Sequence, residues 1–82
     1  MNRVTLVGKP DCHLCAAARE VIAAVCAETG DTFVELSILE DPELADLYWE
    51  QIPVTLVDGV QHDFCRVDPD RLRAALSAPP QP

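Results

Sequence analysis

Positive charge is scarce in this chain. Six lysines and arginines stand against fourteen aspartates and glutamates, for a net charge of −8 at pH 7. Nucleic acids and anionic membrane surfaces are held by basic footprints, so neither is an expected partner. Acidity spread along the sequence instead makes a solvated surface. Long apolar runs are also absent: the longest, VIAAVCA at 21–27, falls far short of the roughly 18 residues that a membrane helix needs. The opening MNRVTLVGKPD offers no signal-like hydrophobic stretch, because Lys9 and Asp11 interrupt it. The expected compartment is the cytoplasm, where thiols are kept reduced. No segment repeats, and none forms a low-complexity domain.

What is present suits one small globular domain. The chain has 82 residues, 49% of them hydrophobic, which supplies a core but too little chain for two domains. A domain of this size buries only roughly 60–65% of the surface its unfolded chain exposes, so its packing has to be efficient. Residues 1–78 are expected to form that domain as a monomer, with PPQP at 79–82 as a flexible tail.

The apolar pattern changes period along the chain. RVTLV at 3–7 is short and β-branched, is closed by Gly8 and Pro10, and reads as a buried strand. Residues 12–28 switch to helical spacing, with Leu14, Ala18, Val21, Ile22 and Val25 on one face. Asp11 is the expected N-cap of that helix, and Gly30 follows its end. TFVELSIL at 32–39 is a second strand, since two parallel strands need a crossover of this length between them. Asp41 and Pro42 open a second helix with Leu44, Leu47 and Tyr48 as its apolar face and Trp49 expected to be partly buried. Val54 to Val57 and Val60 to Cys65 flank Asp58-Gly59, the strongest short-range hairpin signal. Asp68 and Pro69 repeat the helix-start device ahead of Leu72, Ala75 and Leu76. The order β-α-β-α-β-β-α makes an α/β domain: one mixed four-stranded sheet with helices on both faces.

Two of the four cysteines, Cys12 and Cys15 in KPDCHLC, fall at the first strand-to-helix turn. In a cytosolic setting of this kind a CxxC reads as redox or metal chemistry ahead of a structural brace. The thiolate is the reactive species, so a redox cysteine needs a pKa below its usual value of about 8.5. Cys12 is placed at a helix N-terminus, whose free N–H groups and dipole favour an anion. Lys9 adds positive charge there, while Asp11 opposes the thiolate. His13 would help as imidazolium, which the same dipole disfavours, so it stands evenly between a direct role and simple exposure. Cys15 lies one turn on, in line with Ala18, Ile22 and Val25, and is expected to point inward. Cys26 reads as an inert core residue beside Ile22 and Val25. His62 and Cys65 add an HxxC in the manner of a zinc site. Residues three apart on a strand face opposite sides, however, so no metal site is expected. Cys65 reads as a filler or a partly exposed thiol, and as a minor candidate for a third redox cysteine.

The element order, KPDCHLC and IPVTLVDG together resemble the glutaredoxin branch of the thioredoxin superfamily, in its short bacterial glutaredoxin-like form, over roughly residues 3–77. The resemblance implies a thioredoxin fold and a thiol–disulfide oxidoreductase that needs no cofactor. Cys12 would attack a substrate disulfide and Cys15 would resolve the mixed disulfide, making Cys12–Cys15 the redox-active pair. It also implies a cis Ile52-Pro53 bond beside the cysteines, with the backbone of Ile52 left to pair with an extended substrate. Lys9 matches in position the lysine that many glutaredoxins carry before their CxxC. Thioredoxins place a buried acid six residues before the first cysteine; Leu6 stands there in this chain, which favours glutaredoxin. One stretch departs from the family. Glutaredoxins that grip glutathione usually carry Gly-Gly after the hairpin, where HDFCRVD at 62–68 has Asp63 and Phe64. The expected partner is a disulfide-containing protein or a low-molecular-weight thiol, glutathione or an equivalent. Two other classes stay open: a metal or iron–sulfur binding module using Cys12 with Cys15 or an external thiol, and a non-catalytic thioredoxin-fold interaction domain.

Overall fold

The computed structural model describes residues 3–77, and the expected tail at 79–82 lies outside them. The elements follow the expected order: β1 (Val4–Gly8), α1 (His13–Thr29), β2 (Phe33–Ser37), α2 (Pro42–Tyr48), β3 (Val54–Val57), β4 (Val60–Phe64) and α3 (Pro69–Ser77). The strands make one mixed sheet in the order β2-β1-β3-β4. β1 runs parallel to β2 and antiparallel to β3, and β3 is antiparallel to β4. The two central strands, VTLVG and VTLV, are also the most apolar, as strands covered on both faces have to be.

Alternation along those strands divides their side chains between the two faces. Val4, Leu6 and Val57 meet Ala18, Ile22, Val25 and Cys26 of α1 and Leu72 and Leu76 of α3 in the main core. Val7 and Val54 pair on the opposite face and are also fully buried. Since α1 and α3 occupy the first face, only the 38–53 segment, which carries α2, is left to cover them. That cover is thin. α2 is seven residues long and has no fully buried side chain. Leu44 and Tyr48 are half-buried, while Leu47 and Trp49 are 64% and 63% exposed. Both exposures correct the sequence expectation. The helix has two turns, too few to set a full apolar stripe on the sheet, and its half-buried side is Leu44, Ala45 and Tyr48.

The turns obey their local chemistry. Asp58 and Gly59 both have positive φ, 53° and 83°, the conformation a two-residue hairpin loop requires, between the paired Val57 and Val60. The β3–β4 register slips between Thr55 and Leu56, leaving His62 without a partner opposite it. β4 ends at Phe64 rather than Cys65, because Cys65 turns to φ 63°. Asp41 accepts a hydrogen bond from the Glu43 N–H, with Pro42 in the first turn. Asp68 likewise caps α3, accepting from the N–H groups of Asp70 and Arg71. Gly30 closes α1 in the left-handed conformation.

At the end of the sheet where β1 begins, Arg3 joins distant segments. Its guanidinium donates to both carboxylate oxygens of Asp58, at 3.1 and 3.0 Å, and to the Leu76 carbonyl at 3.0 Å. Asp31 lies 4.0 Å from it. The start of β1, the hairpin turn, the α1–β2 connection and the end of α3 are thereby held together.

Candidate active site

β1 delivers the chain to the site, and a sharp turn at Asp11 starts the helix. Asp11 sits at φ 59°, in the left-handed region that aspartate tolerates better than most residues. The turn moves the cap one residue beyond its expected place. Cys12, not Asp11, is the N-cap of α1, and its Sγ accepts a hydrogen bond from the Cys15 N–H at 3.3 Å. The thiol therefore takes over a free donor at the helix start that aspartate or serine would ordinarily satisfy.

This placement separates the two sulfurs chemically. Burial alone would push the Cys12 thiol up. The hydrogen bond from the Cys15 side chain, the N–H groups of Cys15 and Leu14, and the charge of Lys9 outweigh that and hold it below its ordinary value. Cys15 is 1% exposed. Burial, followed by its hydrogen bond to Cys12, pushes its thiol up to about 11, against a smaller opposing effect of the Lys9 N–H. One thiol is thus poised to ionise and its neighbour to stay protonated. The buried stripe of α1 is Cys15, Ala18, Ile22, Val25 and Cys26, which sets Cys15 inward as expected. Leu14, expected on that face, is 46% exposed; one residue away from Cys15 around the helix, it points off the stripe.

Lys9, Asp11, Cys12, His13, Ala16 and Arg19 line an open cleft of about 360 Å³. Lys9 and His13 are exposed at its edge. Arg19 was not anticipated there. It is one turn beyond Cys15 and donates two hydrogen bonds, at 2.8 and 2.6 Å, to Glu35 of β2. The i+4 spacing from Cys15 was the available signal.

The Ile52-Pro53 bond is cis. Val7 pairs with Val54, and continuing that register sets Pro53 level with Gly8, one strand spacing away. Gly8 in turn lies against Cys15. The proline loop is so brought beside the cysteines. Ile52 stands outside the paired registers, and its backbone groups have no partner among the described residues. Cys65 adjoins the same loop: its N–H donates to the carbonyls of Pro53 and Gln51, at 2.8 and 3.3 Å. With Leu14, Ala17, Ala18, Val21, Arg66 and Val67 it borders a second cleft of about 360 Å³. Cys26 is buried in the main core. Among the described residues no three His, Cys, Asp or Glu side chains converge as metal ligands.

The stretch that replaces Gly-Gly is held in place. Asp63 accepts from the N–H groups of Phe64 and Asp68 and lies 3.7 Å from the Arg71 guanidinium. Phe64 is 54% exposed.

A mixed four-stranded sheet with paired thiols at the first helix start and a cis-proline beside them defines a thioredoxin-type α/β domain. The X-ray structure of a structural-genomics target protein from X. campestris superposes on it with a TM-score of 0.74, at 34% identity, over 93% of this chain and 99% of that one. The family described as Glutaredoxin-like domain (DUF836) matches residues 3–77, and the chain belongs to that family. Uncharacterized proteins of Mycobacterium bovis and Mycobacterium tuberculosis are 28% identical to it over 80 residues, covering 92% of this chain and 82% of theirs.

Proposed function

We propose that the protein is a thiol–disulfide oxidoreductase of glutaredoxin type. The observation that carries the reading is the split between the two thiols, Cys12 held low at the N-cap and Cys15 pushed high one turn inside. The Cys12 thiolate attacks one sulfur of a substrate disulfide and expels the other as a thiolate, forming a mixed disulfide. Cys15 then gives up its proton and attacks Cys12 Sγ, expelling the substrate's second thiolate. The substrate gains two electrons and the protein keeps a Cys12–Cys15 disulfide, which an external thiol reduces again. Lys9 contributes positive charge beside the thiolate, His13 borders the same cleft, and Ile52 offers free backbone groups to an extended substrate.

The partner is a disulfide-bearing protein or a low-molecular-weight thiol. A carboxylate on it suits the site. Arg3, Arg19, Arg71 and Arg73 are ion-paired, whereas Lys9 and Arg66, one on each cleft, have no carboxylate partner among the described residues. No described helix is long and apolar enough to cross a membrane, and the cytoplasm, with its reducing thiol pool, is the compartment that suits the cycle.

Alkylation against pH tests the reading. A thiol reacts in proportion to its ionised fraction, so Cys12 is expected to be labelled first at neutral pH, with its rate levelling off at a lower pH than that of an ordinary thiol. Cys15 keeps gaining rate until the pH nears 11, and buried Cys26, also shifted upward by burial, stays slow. Peptide mapping by mass spectrometry resolves the four sites; equal rates at all of them contradict the proposal.

A further inference from the structure

Gly8 ends β1 where the strand passes beneath the start of α1. A methyl group at this position would stand 2.8 Å from Cys15 Sγ and 3.3 Å from Cys15 Cβ, inside the 3.5–4.0 Å at which nonbonded carbon atoms rest. The backbone itself has no need of glycine here. Gly8 pairs with Ser37 in the parallel ladder and its carbonyl accepts from the Ile38 N–H at 2.9 Å. The glycines with positive φ are Gly30 and Gly59. What excludes a side chain at Gly8 is the sulfur above it.

We propose that Gly8 is a positioning residue for disulfide exchange: the side chain it lacks is the seat into which the Cys15 thiol settles when the pair is reduced. This rests on the reading of Cys12 and Cys15 as a redox pair. The floor of the seat is the bare Cα of Gly8. On oxidation by a substrate disulfide both thiols lose their protons and two electrons pass to the substrate. An S–S bond of about 2.05 Å forms between Sγ of Cys12 and Sγ of Cys15. Cys15 Sγ, now drawn to Cys12, leaves the seat. The seat is filled only in the dithiol, so a group that occupies it disfavours the dithiol and leaves the disulfide largely untouched.

The test is Gly8→Ala, equilibrated against dithiothreitol and glutathione couples. The Cys12–Cys15 equilibrium is expected to shift at least tenfold toward the disulfide, which is about 30 mV more negative for a two-electron couple. Urea unfolding of the variant is expected to show the reduced form weakened more than the oxidised form. A merely structural glycine would weaken both forms alike and leave the equilibrium within twofold of the parent; that result, or a shift toward the dithiol, overturns the proposal. The substitution is also made in a Cys15→Ala background, where Sγ is gone. There its stability cost is expected to shrink, and if Gly8→Ala alone does not fold, folding returns. An equal cost in both backgrounds, or failure to fold in both, rejects the seat. A parent protein that forms no Cys12–Cys15 disulfide with either couple refutes the redox reading itself, before any variant is made.

Discussion

Replacing Cys12 with serine is expected to remove the proposed disulfide-exchange turnover, by roughly a thousandfold or more, as loss of a nucleophile does. The hydroxyl ionises far too weakly to attack a disulfide at neutral pH. It is, however, among the best N-cap groups, and Cys12 is the N-cap of α1. The variant is therefore expected to fold as the parent does, which makes lost turnover a chemical result. Cys15→Ser separates the two steps. Its Cys12 is expected still to attack, but with the proposed resolving thiol gone the protein is expected to accumulate one covalently bound partner per chain. Mass spectrometry of variant exposed to a mixture of cellular thiols and oxidised proteins identifies that partner. Turnover retained in Cys12→Ser would move the nucleophile elsewhere, with Cys65 the next thiol beside the proline loop.

Leu6→Ala is expected to cost about 3–5 kcal/mol of stability, the upper range for truncating a buried leucine. Leu6 is fully buried in the central strand, at the middle of the cluster that joins β1 to α1 and α3. A chain of 82 residues has only about 4–12 kcal/mol to lose. The variant therefore sits near the edge of folding, and its urea midpoint falls steeply with the slope unchanged. Truncating exposed Leu47 is the control and is expected to leave the stability within about 0.5 kcal/mol of the parent. A Leu6→Ala cost below about 1 kcal/mol would place the core elsewhere.

Elements marked by proline, aspartate and glycine were legible in the sequence. Asp41-Pro42, Asp68-Pro69, Asp58-Gly59 and Gly30 each act through one or two backbone angles, and local chemistry decides those angles. The buried stripe of α1 was legible too, since helical period alone sets it. The cap of α1 was not: a left-handed turn at Asp11 moves it to Cys12, and a thiol is not a residue that sequence rules place at a cap. Leu14 is exposed because the stripe of α1 runs through Cys15 instead, and the exposure of Leu47 and Trp49 follows from the shortness of α2 and the side it turns to the sheet, which periodicity does not encode. Gly8 read as a strand terminator because its constraint comes from Cys15, seven residues later and on another element. The turn at Cys65 and the register slip at His62 likewise answer to the proline loop and the neighbouring strand.

Arg3 gives the molecule a handle and a working tip. Its guanidinium ties the beginning of β1 to the last turn of α3, so both ends of the described chain emerge at one pole. β1 then carries the chain about 16 Å, at 3.3 Å per residue, to the opposite pole, where the thiols are. A linker or a solid support fixed at the handle would leave Cys12 facing outward, free to meet a disulfide as large as a folded protein. Domains of this kind strung in series would each present their sulfur unobstructed by the tether.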